Sequence, residues 1–205
     1  MPAESGPASP SRGPRSPLAF GGGFDGARYQ ARFDQLQAQG VDIHGEANFV
    51  ASYRPRSVLD AGCGTGRVAI ELHRRGVEVV GADRDPSMLA VARERAPEIE
   101  WVLADLASLE LSRAFDVVVL AGNVPLFTAP GTEASLVAGC ARHVRDGGWM
   151  VAGFQLGRGY TLADYDEHCG AAGLVLVERY GTWDREPFAD GGDYAVSIHQ
   201  RLPAP

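Results

Sequence analysis

The feature that most constrains the fold is a short apolar run that ends in an acid and then breaks into three alternating glycines, at residues 56–67. Asp60 ends the apolar run, and apolar residues return at helical spacing from Val68. This pattern predicts a buried strand, a tight turn and a helix. Glycine suits such a turn because it tolerates positive φ and lets a ligand lie directly against the peptide. The free N–H groups at the start of the helix would face the same ligand.

Two nucleotide-binding motifs are similar to this turn, but neither fits it. The dinucleotide fingerprint G-x-G-x-x-G/A ends in a small residue, and Arg67 stands at that position. A P-loop needs Gly-Lys-Ser/Thr, which does not follow here. The carboxylate of Asp60 would be poorly placed beside a pyrophosphate. The turn therefore favours a ligand that carries positive charge.

The segment Val-Leu-Asp-Ala-Gly-Cys-Gly-Thr-Gly at residues 58–66 resembles the first motif of the class I methyltransferases, which bind S-adenosylmethionine. That cofactor has an ammonium and a sulfonium group and no phosphate, in agreement with the charge argument. The resemblance extends over residues 27–202. It implies a three-layer α/β, Rossmann-like methyltransferase fold and a methyl transfer to an acceptor molecule.

Strand patterns alternate with helix patterns along the chain, which predicts a mostly parallel sheet with right-handed crossovers. The predicted strands cover residues 57–60, 77–83, 99–104, 115–120, 149–154, 174–180 and 194–200. The last two strands are joined without a helix pattern, so we expect a seven-stranded sheet with a final antiparallel strand. The predicted helices cover residues 27–39, 45–53, 66–75, 86–95, 132–144 and 162–172, with a turn at 146–148 before the fifth strand.

Composition sets the domain organisation and the expected partners. Residues 1–23 are dominated by Pro, Gly, Ser and Ala and predict a disordered tail, whereas residues 24–205 are long enough for a single methyltransferase domain. In the class I enzymes, helices before the first strand often cover the cofactor cleft, which implies such a role for residues 27–39 and 45–53. The net charge of −7 argues against a nucleic-acid partner, and no apolar run reaches membrane-spanning length.

Three scattered cysteines without metal-site spacing suggest a reducing, cytoplasmic location and no metal centre. We therefore expect a cytoplasmic protein with a small-molecule substrate and without a nucleic-acid or membrane partner. The oligomeric state is left open.

Acidic residues end three successive predicted strands, at Asp60, Asp83 and Asp105. Because ligands bind at the carboxyl ends of strands in open α/β sheets, these carboxylates should border one crevice. The resemblance implies that Asp83 binds the ribose hydroxyls, that Asp105 and the Leu106 N–H bind adenine, and that Asp60 serves the methionine ammonium, through a water or by shaping the loop.

The remaining expected cofactor contacts lie in the glycine turn and after the second and fourth strands. They are Gly62, Cys63, Gly64, Gly66, Arg84, Met88 and Asn123. Three of these have an alternative structural interpretation. Cys63 could fill space in the loop, Met88 could belong to the core, and Asn123 could form a turn.

The acceptor is not identified by its usual signatures. Asn123 is followed by Val-Pro-Leu instead of the Pro-Pro and aromatic residue found in enzymes that methylate adenine or glutamine amino groups, and it replaces the carboxylate of metal-dependent catechol-type enzymes. Trp183 and Phe188 could wall an apolar substrate pocket or pack within a hairpin loop. The unranked candidates for a catalytic base are His44, Tyr160, His168 and Asp184.

Three functions are consistent with these observations. The favoured one is S-adenosylmethionine-dependent methyl transfer to a small molecule. The second is an inactive protein that binds S-adenosylmethionine or S-adenosylhomocysteine. The third, a nicotinamide-dependent oxidoreductase, is disfavoured by the G-x-G-x-G spacing and by Arg67.

Overall fold

The computed structural model describes residues 25–203 of the chain. The predicted tail at residues 1–23 lies outside the described residues. The helices of the described part are α1 Gly26–Ala38, α2 Gly45–Ala51, α3 Arg67–Arg74, α4 Pro86–Arg95, α5 Glu133–Ala141 and α6 Leu162–Ala171. The strands are β1 Ser57–Ala61, β2 Glu78–Asp83, β3 Glu100–Leu103, β4 Phe115–Leu120, β5 Val144–Gln155, β6 Leu174–Tyr180 and β7 Tyr194–Arg201.

The strands form one seven-stranded sheet in the order β3-β2-β1-β4-β5-β7-β6. β7 runs antiparallel to both β5 and β6, and the other neighbouring strands are parallel. All six residues of β4 are buried, as expected for a central strand with helices on both faces. The predicted α/β fold with a final antiparallel strand is confirmed.

Strand order reverses between β1 and β4, because the chain first builds outward to β3 and then returns to the other side of β1. In doubly wound sheets, such a switch point leaves a crevice at the carboxyl ends of the strands. Three turns follow strands at this edge. The glycine turn follows β1, and two 3₁₀ turns, Leu106–Ser108 and Val124–Phe127, follow β3 and β4.

Asp85-Pro86 and Thr161 are residues that predict helix starts, and α4 and α6 begin at them. Asp85 accepts a hydrogen bond from the Ser87 N–H at 2.8 Å, and Pro86 occupies the first position of α4. Thr161 and Asp164 form a reciprocal capping box at the start of α6. These side-chain bonds satisfy N–H groups that have no partner inside the helix.

The turn predicted at residues 146–148 lies inside β5 and not before it. β5 begins at Val144, opposite Phe115, and Trp149 then pairs with Val117, so β5 bulges between these two pairs. Gly147 has φ 70° within this bulge, and a Cβ at Gly148 would lie 3.0 Å from the Asp116 carbonyl oxygen, so glycine lets the bulge pack against β4. The preceding helix consequently ends at Ala141. Within residues 25–203, no helix has both the length and the apolar character needed to cross a membrane.

Candidate active site

A cleft of about 1130 Å³ opens at the carboxyl ends of β1, β2 and β4. Single-ligand pockets have typical volumes of about 300–1,000 Å³, so this cleft has room for more than one small molecule. One part, the glycine end, is lined by residues from 60–68, 83–88 and 105–106. The other part, the tyrosine end, is lined by residues from 121–136 and by 158–160.

The glycine turn uses its three glycines for two different purposes. Gly62, Gly64 and Gly66 all have positive φ, at 79°, 55° and 81°. A Cβ at Gly62 would lie 2.6 Å from the Val124 side chain, and a Cβ at Gly66 would lie 2.4 Å from the Trp101 ring. Those two glycines are therefore needed for packing. At Gly64 the nearest neighbour would be a ring carbon of Tyr29 at 3.9 Å, so this peptide lies bare against the cleft.

Asp60 lies at the end of β1, lines the cleft, and is 1% exposed. Its Oδ2 accepts a hydrogen bond from the Ala69 N–H in α3 at 3.0 Å. Burial raises the pKa of Asp60 to about 7, although the Ala69 N–H and the Arg67 guanidinium act in the opposite direction. A cationic group in the cleft would favour the ionised form of this carboxyl and offset the cost of its burial.

Asp83 lies at the end of β2 and fixes the glycine turn. Its Oδ2 accepts a hydrogen bond from the Gly64 N–H at 2.8 Å, and its Oδ1 accepts one from the Asp85 N–H at 2.9 Å. Burial raises the pKa of Asp83 as well. Because each carboxylate oxygen can accept more than one hydrogen bond, Asp83 can bind a ligand hydroxyl while it holds the turn.

The other predicted contacts at the glycine end also line the cleft. Asp105 is exposed, and its Oδ1 accepts from the Ala107 N–H at 2.9 Å in the 3₁₀ turn that contains buried Leu106. Met88 is buried at the start of α4. Arg84 donates to the Phe127 carbonyl oxygen at 2.9 Å and so connects the two ends of the cleft.

Cys63 lines the cleft, but its thiol is buried. A Cβ at Gly81 would lie 2.4 Å from the Trp101 ring and 3.1 Å from the Cys63 Sγ, so the ring and the thiol together fill the space that Gly81 leaves. Burial raises the pKa of this thiol well above its ordinary value. Cys63 therefore has the environment of an inert, space-filling residue.

Several predicted site residues do not line the cleft. Gly66 packs on Trp101, and Asn123 is buried with φ 69° and accepts a hydrogen bond from the Gln155 N–H at 2.7 Å through its Oδ1. The geometry of Asn123 is that of a turn-forming residue, and its side chain holds the β4 and β5 ends together. This geometry favours the turn-forming alternative for Asn123, and its contact with the cofactor stays a prediction.

Two candidate bases and one expected pocket wall also lie elsewhere. His44 occupies the N-cap position of α2, and its Nδ1 lies 3.8 Å from a Glu71 carboxylate oxygen. Asp184 is exposed in the loop between β6 and β7. Trp183 donates to the Tyr194 hydroxyl at 3.0 Å and packs edge-on against Phe49. This loop packs on α2, and neither Trp183 nor Asp184 lines the cleft.

The tyrosine end brings the other two candidate bases together. Tyr160 lines the cleft in the loop after β5, and its hydroxyl lies 2.8 Å from the Nδ1 of His168 in α6. The two rings are stacked, with centroids 5.7 Å apart. Within the described chain, the cleft-lining side chains of Glu133 and Arg158 have no hydrogen bond or ion pair.

The α1 helix is tied to the glycine turn by a pair that the sequence analysis did not find. The buried Thr65 hydroxyl donates to the Gln30 Oε1 at 2.7 Å, and Tyr29 in the same helix lines the cleft. A Cβ at Gly26 would lie 2.5 Å from the Ser87 carbonyl oxygen, so α1 approaches the start of α4 very closely. Residue spacing gave no signal for the Gln30–Thr65 pair.

Arg67 ties α2 to the start of α3. Its guanidinium donates to both carboxylate oxygens of Glu46, at 2.8 Å and 2.5 Å, and also to the Ile43 carbonyl oxygen. The guanidinium also lies over the Phe33 ring, 4.8 Å from its centroid. The neighbouring carboxylate raises the pKa of Arg67 despite burial. The signal in the sequence was Arg67 itself, a large charged residue where a dinucleotide motif requires a small one.

Comparisons with known proteins agree with this geometry. Residues 58–148 match the family model of the methyltransferase domain. The crystal structure of a TehB-like SAM-dependent methyltransferase from Corynebacterium glutamicum is 36% identical, with a TM-score of 0.81, and the alignment covers 86% of this chain and 97% of that chain. The chain therefore belongs to the S-adenosylmethionine-dependent methyltransferases.

Curated relatives match over shorter segments. The cypemycin N-terminal methyltransferase of Streptomyces sp is 37% identical over 107 residues, which are 49% of this chain and 43% of that protein. The magnesium-protoporphyrin O-methyltransferase of Rhodobacter capsulatus is 37% identical over 78 residues, or 36% of this chain and 34% of that protein. The chain thus spans less than half the length of these two relatives.

Proposed function

We propose that this protein transfers a methyl group from S-adenosylmethionine to a small-molecule acceptor. The observation that carries the proposal is the bare peptide at Gly64, which lies between the carboxylates of Asp60 and Asp83. A ligand with a cationic amino-acid part and a ribose matches this arrangement, whereas a pyrophosphate would meet two carboxylates and no partnering lysine.

The residues of the glycine end fit the parts of this cofactor. Asp60 would serve its ammonium group, Asp83 the ribose hydroxyls, and Asp105 with the Leu106 N–H the adenine. Gly62 and Gly64 would offer backbone contacts, with Cys63, Arg84 and Met88 beside them. When bound, the cofactor supplies a methyl group that its sulfonium has already activated.

The chain's own contribution to the chemistry is alignment and exclusion of water. Orienting two reactants can account for about 7–11 kcal/mol of a barrier. The tyrosine end has an apolar wall suited to holding an acceptor, formed by Val124, Pro125, Leu126, Phe127 and Leu136. The relatives are named for acceptors as different as the cypemycin N-terminus and magnesium-protoporphyrin, which supports a cleft that family members adapt to many acceptors.

We also propose a cytoplasmic location and a small-molecule substrate, without a nucleic-acid or membrane partner. Among the described residues, Cys63, Cys140 and Cys169 are free and buried, as is usual in a reducing compartment. The net charge of −7 disfavours a polyanionic partner.

The test has two steps. Isothermal calorimetry and thermal unfolding should show binding of S-adenosylmethionine and S-adenosylhomocysteine but not of NAD. A ligand at about 100 times its dissociation constant stabilises a protein by about 2.7 kcal/mol. Release of S-adenosylhomocysteine is then followed with a panel of hydroxyl, amine and carbon acceptors. Binding without turnover across a broad panel would favour the inactive cofactor-binding protein, and binding of NAD alone would exclude both.

A further inference from the structure

The structure separates the four candidate bases of the sequence into two groups. His44 and Asp184 lie away from the cleft, whereas Tyr160 lines it and is hydrogen-bonded to His168 at 2.8 Å. The Tyr160 hydroxyl is therefore linked on one side to an imidazole, and its ring borders the end of the cleft that would receive an acceptor. This is the arrangement of a proton acceptor with a second group behind it.

We propose that Tyr160, paired with His168, takes the proton from the acceptor molecule during methyl transfer. This inference rests on the proposed function and narrows its substrate class. The acceptor would be a hydroxyl or an amine that loses a proton when it is methylated, and not a thioether or a tertiary amine. Tyr160 would be the catalytic residue, and His168 would act through it as a positioning residue.

The step balances without a further reactant. The bond between the acceptor atom and its hydrogen breaks, and its electron pair forms the new bond to the methyl carbon. The electron pair of the broken carbon–sulfur bond stays on sulfur. The released proton moves to the Tyr160 hydroxyl oxygen while the proton of Tyr160 moves to the His168 Nδ1. Because His168 is only partly buried, it can then pass the proton to solvent.

The surroundings of the pair suit this transfer. Burial raises the pKa of Tyr160, so the hydroxyl carries its proton at neutral pH and can pass it on as it receives another. The titratable groups that act on Tyr160 are Glu133 from α5 and Asp164, Asp166 and Cys169 from α6. Of these, Asp164 also interacts electrostatically with His168 and would stabilise an imidazolium that forms there. Phe154, with its ring centroid 5.8 Å from that of Tyr160, closes the apolar side.

The test uses Tyr160→Phe and His168→Gln in the full chain, with the acceptor from the panel that the wild-type protein methylates fastest. Loss of a general base costs about 10²–10⁴-fold in rate, so Tyr160→Phe should lower kcat by at least about 100-fold. The KM of the acceptor and the affinity for S-adenosylmethionine should stay nearly unchanged. His168→Gln should lower kcat less, and adding it to Tyr160→Phe should lower kcat no further, because His168 acts only through the Tyr160 hydroxyl.

Matched variants separate this role from a structural one. Tyr180→Phe removes a hydroxyl that bonds to Glu178 on β6, and His73→Gln removes an imidazole on α3, both outside the cleft. Each should leave kcat as in the wild type. A Tyr160→Phe variant with wild-type kcat, or a double variant in which His168→Gln lowers kcat further, would overturn the inference and leave the proposed function intact. If the wild-type protein binds the cofactor but methylates no acceptor in the panel, the proposed function fails, and the inference about Tyr160 fails with it.

Discussion

The two ends of the cleft are built differently. At the glycine end, each ligand-facing carboxylate is already bonded to a backbone N–H, Asp60 to Ala69, Asp83 to Gly64 and Asp85, and Asp105 to Ala107. At the tyrosine end, Glu133 and Arg158 line the cleft without a hydrogen bond or ion pair inside the described chain. The carboxylates of the glycine end are thus held in place before a ligand binds, whereas the charged groups of the tyrosine end are available to contact a ligand.

This difference fits a cleft with one constant and one variable ligand. Fixed partners favour a ligand that never changes, because little has to be reordered when it binds. An unpaired side chain on a loop, such as Arg158, is easier to change in evolution without loss of the scaffold. The match to the family model, residues 58–148, includes the whole glycine end and residues 121–136 of the tyrosine end, but not the 158–160 loop. The following predictions test whether the two ends are independent.

The largest effect is expected where the glycine end is anchored. Arg67→Met would leave the buried Glu46 carboxylate without its partner, and breaking a buried ion pair costs about 3–5 kcal/mol. Urea unfolding should show this loss. Arg113→Met, which breaks an exposed ion pair with Glu78, should cost far less because water screens that pair. Equal losses for the two variants would mean that the Arg67 pair is not an anchor.

Gly64→Val should abolish cofactor binding while the sheet stays folded. Its side chain would fill the space that the bare peptide leaves in the cleft, and we expect at least a roughly 100-fold loss of affinity by calorimetry. Gly76→Val is the matched control, since Gly76 also has positive φ, 84°, and has open space around its Cβ position. It carries the same kind of backbone strain outside the cleft and should bind normally. Normal binding by Gly64→Val would remove the main support for the proposed function.

Asp83→Ala should weaken binding of S-adenosylmethionine by at least about tenfold, because hydrogen bonds to a charged group contribute about 1.5–3 kcal/mol each. The variant also removes the acceptor for the Gly64 N–H, so the turn should loosen. Asp83→Asn keeps an acceptor oxygen, so its affinity for S-adenosylmethionine should lie between those of the wild type and Asp83→Ala. Asp146→Ala, an exposed change outside the cleft, is the control for calorimetry. Unchanged affinity in Asp83→Ala would show that the ribose assignment is wrong.

The sequence predicted those features that depend on neighbouring residues, and it did not predict contacts between residues far apart in the chain. The strand-end acids and the cap at Asp85 follow from neighbouring residues, and the structure places them as expected. The partners Arg67 and Glu46 are separated by 21 residues, and Thr65 and Gln30 by 35, so no spacing rule could join them. Local chemistry at Gly147–Gly148 indicated a turn but not that β5 begins before it, at Val144, because pairing with Phe115 of β4 sets that start.

The protonation of Asp60, at the glycine end, should have a smaller effect on cofactor affinity and on stability. Its pKa is raised from 3.8 to about 7, so the folded state binds this proton more tightly than the unfolded state between those values. Stability of the ligand-free protein should therefore fall as pH rises through that window. Affinity for the cationic cofactor should rise from pH 6 to pH 8 by several-fold, bounded by about tenfold. Asp60→Asn should remove both dependences, measured by urea unfolding and calorimetry. If either pH dependence persisted in Asp60→Asn, another titratable group would be its cause.

Arg158→Ala should have the smallest effect on the cofactor, and it tests the independence of the two ends directly. Arg158 lines the tyrosine end and is exposed, so its removal should leave the affinity for S-adenosylmethionine unchanged within about twofold. Its guanidinium is free to contact an acceptor, so the ranking of acidic against neutral acceptors should change. Asp83→Ala should show the reverse, with weaker cofactor binding and an unchanged ranking. If Arg158→Ala weakened cofactor binding as much as Asp83→Ala does, the two ends would be one coupled site, and the fixed carboxylates alone could not explain how the cofactor is held.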